Sequence, residues 1–425
     1  MIDVRAIEDS KLDNRLKGYP HRAPPCAVKE IGRQGWNVMR GDLPFPVALL
    51  KASALAHNLA WMADFTRATG MLLAPHGKTT MAPQLFARQL EAGAWGITFA
   101  NMQQVSLAVA AGLRRIILAN QLVGEEDILQ AMHLQDATPD LELHSLVDSI
   151  AQLQWVESIG VRCGATRPLT ALLEIGVPGG RTGCRSVDEA MRVARAIAAS
   201  RHVRLSGVEC FEGLSVTGDS DADRVVVERW MQTLREVAKR CDEEWLFGTA
   251  EVTLSAGGSA VFDLVAKSLP MELTRPVRTI LRSGCYVTHD SKFYENFQRQ
   301  IIARLGGERP GLKPAVEVWT QIQSQPEPGL AILAMGRRDA SFDIDLPMPF
   351  ARVRDGVRSD LDATWCITKM NDQHAYLQIP AGGDARVGDL VGCGISHPCT
   401  TFDKWRWLPL VDDEYAVTGA IRTFF

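Results

Sequence analysis

Residues 95–120 read WGITFANMQQVSLAVAAGLRRIILAN, and the punctuation of this stretch decides the fold. Trp95–Ala100 is a short apolar run of strand length. Asn101 follows it as a good helix N-cap, and the helical stretch it opens stops at Gly112, a glycine placed as a terminator. Arg115–Asn120 is then a second apolar run. Strand, helix and strand in such close succession are the repeating unit of a parallel sheet.

The pattern continues on both sides. Further strands are expected at Met71–His76, Leu141–Val147, Leu169–Gly176, Val203–Cys210, Glu251–Ala256 and Arg278–Ser283. Helical spacing lies between them, notably over Ala82–Glu91, Val187–Ala199 and Asp221–Lys239. About eight strand–helix units over roughly 210 residues fit a (β/α)8 barrel. An open doubly wound sheet is the rival, but no GxGxxG follows the first strand to support it. After about residue 285 the helices thin out. Runs such as Ala315–Ile322, Ala331–Met335 and His374–Ile379 then suggest a mainly-β domain. The proline-bearing first 46 residues can add to it, so the expected division is a barrel over 47–284 and a β domain from 1–46 and 285–425.

Composition excludes more than it identifies. The 425 residues are 46% hydrophobic with a formal net charge of −4, which gives no reason to propose nucleic acid or an anionic membrane as partner. Nine cysteines, scattered from Cys26 to Cys399 without a repeated spacing, read as reduced thiols of a cytoplasmic protein. The opening MIDVRAIEDSKLDNR has no apolar segment of a secretory signal, and no apolar run approaches a membrane span.

In a barrel of this kind the chemistry sits at the carboxyl ends of the strands. The first strand runs into LLAPHGKTTMAP (72–83), whose Gly77-Lys78-Thr79 imitates the tail of a nucleotide-binding P-loop. That loop needs another glycine five residues earlier; Leu72 stands there, and stiff Pro75 intervenes, so the nucleotide reading fails. Lys78 is instead flanked by Pro75, His76 and Gly77 rather than by other charges. The fifth strand ends in GVPGGRTG, carrying Arg181. Gly257-Gly258-Ser259 follows the seventh strand and opens a helix at Ala260, and Gly284-Cys285 follows the eighth. Loops after strands seven and eight are the usual phosphate site of such barrels. A phosphate cradle with a lysine at the first strand end suggests pyridoxal phosphate, whose aldehyde condenses with an amine. Near the C-terminus, GCGISHPCTTFDKW places His397 and Cys399 two apart, so that an extended segment projects both to one face. Imidazole and thiolate suit zinc, and two ligands make an open site rather than a closed structural one.

Taken together, PHGKT (75–79), AGAWGITFAN (92–101), ILANQ (117–121), GGRTG (179–183), SAGGS (255–259), RSGCYVTHD (282–290) and SHPC (396–399) resemble one family. It is that of the fold-type III pyridoxal-phosphate enzymes related to D-serine dehydratase and D-threonine aldolase. The resemblance, from about Pro46 to the C-terminus, implies an alanine-racemase-like barrel followed by a β domain, working as a homodimer on a small D-amino acid. It implies Lys78 as the lysine that carries the cofactor, with His76 and Arg181 beside it. Gly257, Gly258, Ser259, Gly284 and Cys285 would hold the phosphate, with Tyr286 close by. His397 and Cys399 would bind zinc beside the β-hydroxyl of the substrate. The dehydratases favour His-x-Cys here and the aldolases His-x-Asp, so the expectation is a D-serine dehydratase giving pyruvate and ammonia. D-threonine aldolase and D-threo-3-hydroxyaspartate dehydratase are the alternatives. A racemase would leave His397 and Cys399 unexplained, and a non-catalytic cofactor carrier would not need the residues after the barrel. Three positions depart from the family: Ala74 stands where arginine is frequent, Thr80 where histidine is, and Phe211 where tyrosine is common.

Overall fold

The computed structural model describes residues 2–307 and 310–425. They divide into two compact units: one of residues 2, 63–78 and 89–284, the other of 3–62, 79–88, 285–307 and 310–425.

The first unit is a ring of eight parallel strands: β1 (Leu72–Leu73), β2 (Ile97–Phe99), β3 (Arg115–Gln121), β4 (Glu142–Val147), β5 (Leu169–Ile175), β6 (Val203–Cys210), β7 (Val252–Ala256) and β8 (Val277–Leu281). Each strand pairs with the next, and β8 pairs with β1 through Ile280↔Leu72 and Leu281↔Leu73. A parallel bridge His76↔Thr98, with Thr98 N donating to Pro75 O at 2.9 Å, closes the ring between β1 and β2. All eight expected strands are present within a few residues of their sequence bounds. The strands are nearly continuous apolar runs because a parallel barrel buries them on both faces. Ala74, Ile117, Leu146, Leu172 and Ile280 fill the interior. Asn101 caps the helix Met102–Ala110, its side chain accepting from Gln104 N.

The second unit is built on antiparallel strands: β9 (Val316–Glu327), β10 (Leu330–Leu333), β11 (Met348–Arg354), β12 (Val357–Asp360), β13 (Cys366–Met370), β14 (Ala375–Gln378), β15 (Leu390–Gly394), β16 (Trp407–Val411) and β17 (Val417–Arg422). Strand β9 is its spine, pairing with β10, β15 and the early strand Val47–Lys51. Leu12, Tyr19, Val28, Ile31, Val38 and Leu43 from the first 46 residues share one core with Trp319, Trp407 and Tyr415. A helix that the sequence reading passed over, Phe293–Arg304, precedes β9. No helix among the described residues is long and apolar enough to cross a membrane.

Candidate active site

At the carboxyl ends of the barrel strands a cavity of about 300 Å³ is lined by His76, Lys78, Asn120, Glu174, Arg181, Thr182, Glu209, Phe211, Gly257, Gly258 and Arg282, with a few small apolar residues. Lys78 lies in a single 3-10 turn, Gly77–Thr79, immediately after β1. His76 is fixed by the bridge that closes the barrel, which leaves its Nδ1 buried with no hydrogen-bond partner. Burial, then the positive charges of Lys78, Arg282 and Arg181, push this imidazole well below its ordinary value, so it is neutral at pH 7.

Arg181 is held by a folded-back loop. Gly176 N donates to Cys184 O and Cys184 N to Glu174 O, while the Arg185 guanidinium donates to the carbonyls of Gly180, Arg181 and Thr182. The Arg181 guanidinium stands 5.2 Å from the centroid of the Phe211 ring. Phe211 thus lines the cavity, and Ala74 belongs to the barrel interior.

Glycine is required at two of the loops. Gly257 has φ +93°, a left-handed conformation that costs other residues, and a Cβ there would meet Leu281 Cδ2 at 2.5 Å. A Cβ at Gly284 would meet His76 O at 2.5 Å, so the loops after β1 and β8 touch backbone to backbone. The helix after Gly258 begins at Phe262, not at Ala260, and has 7 residues. The N–H groups of Gly257 and Gly258 already donate to the buried carboxylate of Glu212, at 3.1 and 2.7 Å. The turn therefore does hold an anion, one supplied by the chain itself. Ser259 follows directly, half-buried, and Cys285 and Tyr286 form a buried 3-10 turn after β8.

Three charged groups went unnoticed in the sequence: Glu174, Glu209 and Arg282. Glu174 and Glu209 are register partners on β5 and β6, 3% and 1% exposed. Glu174 accepts from Thr182 Oγ1 at 2.7 Å and from Gln121 Nε2. Arg282 Nη2 lies 2.6 Å from Glu209 Oε2 and donates to Cys210 O, while Nη1 donates to Ser255 Oγ. Burial pushes the Glu209 carboxyl up to about 8 against the pull of Arg282. The signal was available: each charge interrupts an apolar strand run, in ALLEI, GVEC and ILRS.

His397 and Cys399 belong to the second unit, and their segment is not extended. Pro398 is helical (φ −61°, ψ −37°) and Cys399 opens a short helix, Cys399–Phe402, so alternation does not put both side chains on one face. His397 Nδ1 is engaged by Asp343 Oδ2 at 2.5 Å, the partnership that orients metal-binding histidines and leaves Nε2 as donor. Cys399 Sγ contacts Cys285 Sγ at 3.8 Å and donates to Thr79 Oγ1 at 3.4 Å. Among the described residues, no group of three or more His, Cys, Asp or Glu side chains is gathered closely enough to hold a metal ion.

Two family models match this chain. "Alanine racemase, N-terminal domain" covers residues 50–276, and "Putative serine dehydratase domain" covers residues 315–411. A D-threonine aldolase of Arthrobacter sp. is 24% identical over 377 residues, 87% of this chain and 89% of that protein. A D-threo-3-hydroxyaspartate dehydratase of Delftia sp. (strain HT23) is 30% identical over 191 residues, 44% of this chain and 48% of that one. The crystal structure of D-threonine aldolase from Filomicrobium marinum is similar with a TM-score of 0.74 at 22% identity, covering 92% of this chain and 97% of that chain.

Proposed function

The chain belongs to the alanine racemase N-terminal domain family, and from that premise we propose that it is a pyridoxal-phosphate-dependent lyase of β-hydroxy D-amino acids, a D-serine dehydratase. The observation that carries this reading is the gathering of Lys78, neutral His76 and Arg181 in one cavity with the Gly257–Gly258 turn. The cavity also fits the cofactor chemically. Its cations, Lys78, Arg181 and Arg282, suit an anionic ligand, and the unpartnered Nδ1 of His76 offers a flat polar ring beside it.

Pyridoxal phosphate, when bound, supplies an electron sink for negative charge at the substrate Cα. Lys78 would hold the cofactor through its amine, and that amine, when free, would be the base for the α-proton. His76, kept neutral, brings no imidazolium proton into the site and would serve to orient the ring. Arg181 would lie beside the cofactor ring, and Gly258, Ser259, Gly284 and Cys285 would hold its phosphate, with Tyr286 adjacent. Because Glu212 engages the amides of Gly257 and Gly258, the phosphate must share or replace that carboxylate there.

A divalent metal, zinc by donor chemistry, would be held by His397 and Cys399 and supply Lewis acidity to a hydroxyl that leaves as water. The Asp343–His397 pair and a thiol at Cys399 are the features that favour it. The protein works as a homodimer in the cytoplasm in this reading; light scattering of the purified chain tests the first point.

The experiment is direct. Purified protein is given D-serine, D-threonine or D-3-hydroxyaspartate, and keto acid, ammonia, glycine and aldehyde are measured. Dehydratase activity yields keto acid and ammonia in equal amounts from D-serine. Glycine and aldehyde from D-threonine would make it an aldolase instead, as the name of its Arthrobacter relative favours. No reaction with any D-amino acid would contradict the lyase reading.

A further inference from the structure

Nine cysteines are scattered along the chain, yet two of them meet in the fold, and their contact has no role in the reading above. Cys285 opens the 3-10 turn after β8 and Cys399 opens the helix Cys399–Phe402, so segments 114 residues apart bring their sulfurs to 3.8 Å. The other thiols have no cysteine partner among the described contacts; Cys163 and Cys241, for example, meet methionine sulfurs.

The two sulfurs touch without being bonded, since a disulfide needs about 2.05 Å. The remaining gap, 3.8 less about 2.05, is about 1.8 Å. Each cysteine stands at the first position of a single-turn element, where a side chain can shift without unwinding a long hydrogen-bonded ladder. The surroundings keep the pair together. Thr79 Oγ1 accepts from Cys399 Sγ at 3.4 Å and lies 3.8 Å from Cys285 Sγ, so one buried hydroxyl touches both. The Tyr294 hydroxyl hydrogen-bonds Cys285. Access differs between the two. Cys285 is 6% exposed, whereas Cys399 is half-buried, so a small solute reaches Cys399 first. A reversible thiol switch needs this asymmetry: one sulfur open to an oxidant, and a second beside it to trap the oxidised form.

We propose that Cys285 and Cys399 form a reversible dithiol–disulfide pair, closed by a hydroperoxide. In the first step the Cys399 sulfur attacks a peroxide oxygen. The O–O bond breaks, the thiol proton leaves in water (for hydrogen peroxide), and the sulfur becomes a sulfenic acid. In the second step the Cys285 sulfur attacks that of Cys399. The S–O bond breaks, and a second water carries away the hydroxyl with the Cys285 proton. Two thiols and one peroxide thus give one disulfide and two waters, two electrons passing from sulfur to oxygen. A reducing dithiol reverses the bond by exchange. Where Cys399 holds a catalytic metal as proposed above, closing the pair withdraws that ligand and switches elimination off. That consequence rests on the metal reading; the bond itself does not.

The test uses the full-length cofactor-loaded protein, treated first with a chelator so that no metal masks a thiol. It is exposed to hydrogen peroxide, alkylated under denaturing conditions, digested without reduction and mapped by mass spectrometry. The Cys285 and Cys399 peptides are expected to disappear together from the alkylated pool and to return as one cross-linked species, which dithiothreitol splits. Cys285→Ser and Cys285→Ala are each expected to lose the cross-link and to carry Cys399 on to sulfinic and sulfonic acid. Wild type whose Cys285 stays fully alkylatable, with Cys399 either untouched or over-oxidised, would overturn the proposal. Restoring zinc and measuring pyruvate from D-serine then separates the two claims. Cross-linked protein that stays inactive until it is reduced and desalted ties the pair to turnover. Cross-linked protein that turns over fully leaves the pair standing and overturns the metal reading instead.

Discussion

The two units bury charge in opposite ways. In the barrel the buried charges converge: Glu174 and Glu209 on the paired strands β5 and β6, and Arg282 just after β8, line one cavity. In the β unit they are spent on the fold. Arg354 bridges Asp384 and Asp389, and Trp319, on the central strand, donates Nε1 to Glu317 while packing edge-on against Phe350 and Tyr415. Burial raises Glu317 as well as Glu209, so the shift alone does not sort them: Glu317 is answered by Trp319 within its own strand, whereas several buried charges converging on one cavity, Glu209 among them, mark a place where chemistry happens. The comparison therefore sorts side chains by what their loss should change: chemistry in one set, folding in the other.

His397 and Cys399 are the sharpest exception, because they sit in the β unit and yet are assigned to chemistry. Chelating the metal, or making Cys399→Ala, is expected to cut pyruvate formation from D-serine about a hundredfold or more, since hydroxide is a poor leaving group without a Lewis acid. The cofactor colour and the melting temperature should barely change. A fall in melting temperature in step with activity would return the pair to the structural class. Trp319→Ala breaks the comparison from the other side. Removing this buried ring should cost about 3–5 kcal/mol of stability, read from the urea midpoint, with cofactor colour unaltered in native buffer. A smaller effect comes from Ser259→Asp, which adds a negative charge next to the glycine turn. Cofactor affinity should drop about tenfold or more while stability holds; an unchanged affinity would put the phosphate elsewhere.

The remaining effect concerns Glu209 and is read from pH dependence. Its carboxyl titrates at about 8 in the fold against an ordinary 4.5, so the folded state binds the extra proton between those values. Stability is then lost as pH rises through that window. Glu209→Gln, which never ionises, should gain stability relative to wild type from about pH 4.5 to 8 and run parallel to it above. Parallel curves throughout would mean that the carboxyl is not shifted.

How much of this was legible follows from the same contrast. The barrel strands could be read because each is a local apolar run closed by its own glycine or asparagine. The β unit could not be read in detail. Val47–Lys51 finds its partners on β9 and β16, hundreds of residues downstream, and no local period encodes that pairing. The helix Phe293–Arg304 did carry a signal, with Phe293, Phe297 and Ile301 every four residues, but it lies among strand-like runs. Lys78 stood out by its neighbours. Arg282 and Glu209 were hidden because a charge inside an apolar run reads as an interruption until the ring closes and turns it inward. His-Pro-Cys was misjudged in shape, since proline sits as readily in a helical turn as in an extended segment.

The central claim is that Lys78 carries the cofactor, and one measurement addresses it most directly. The purified protein is reduced with borohydride, digested, and the pyridoxyl group located by mass spectrometry. The account predicts loss of the visible absorption band and a single modified peptide bearing the group on Lys78. A pyridoxyl group on any other lysine, or a protein that takes up no cofactor, would contradict it.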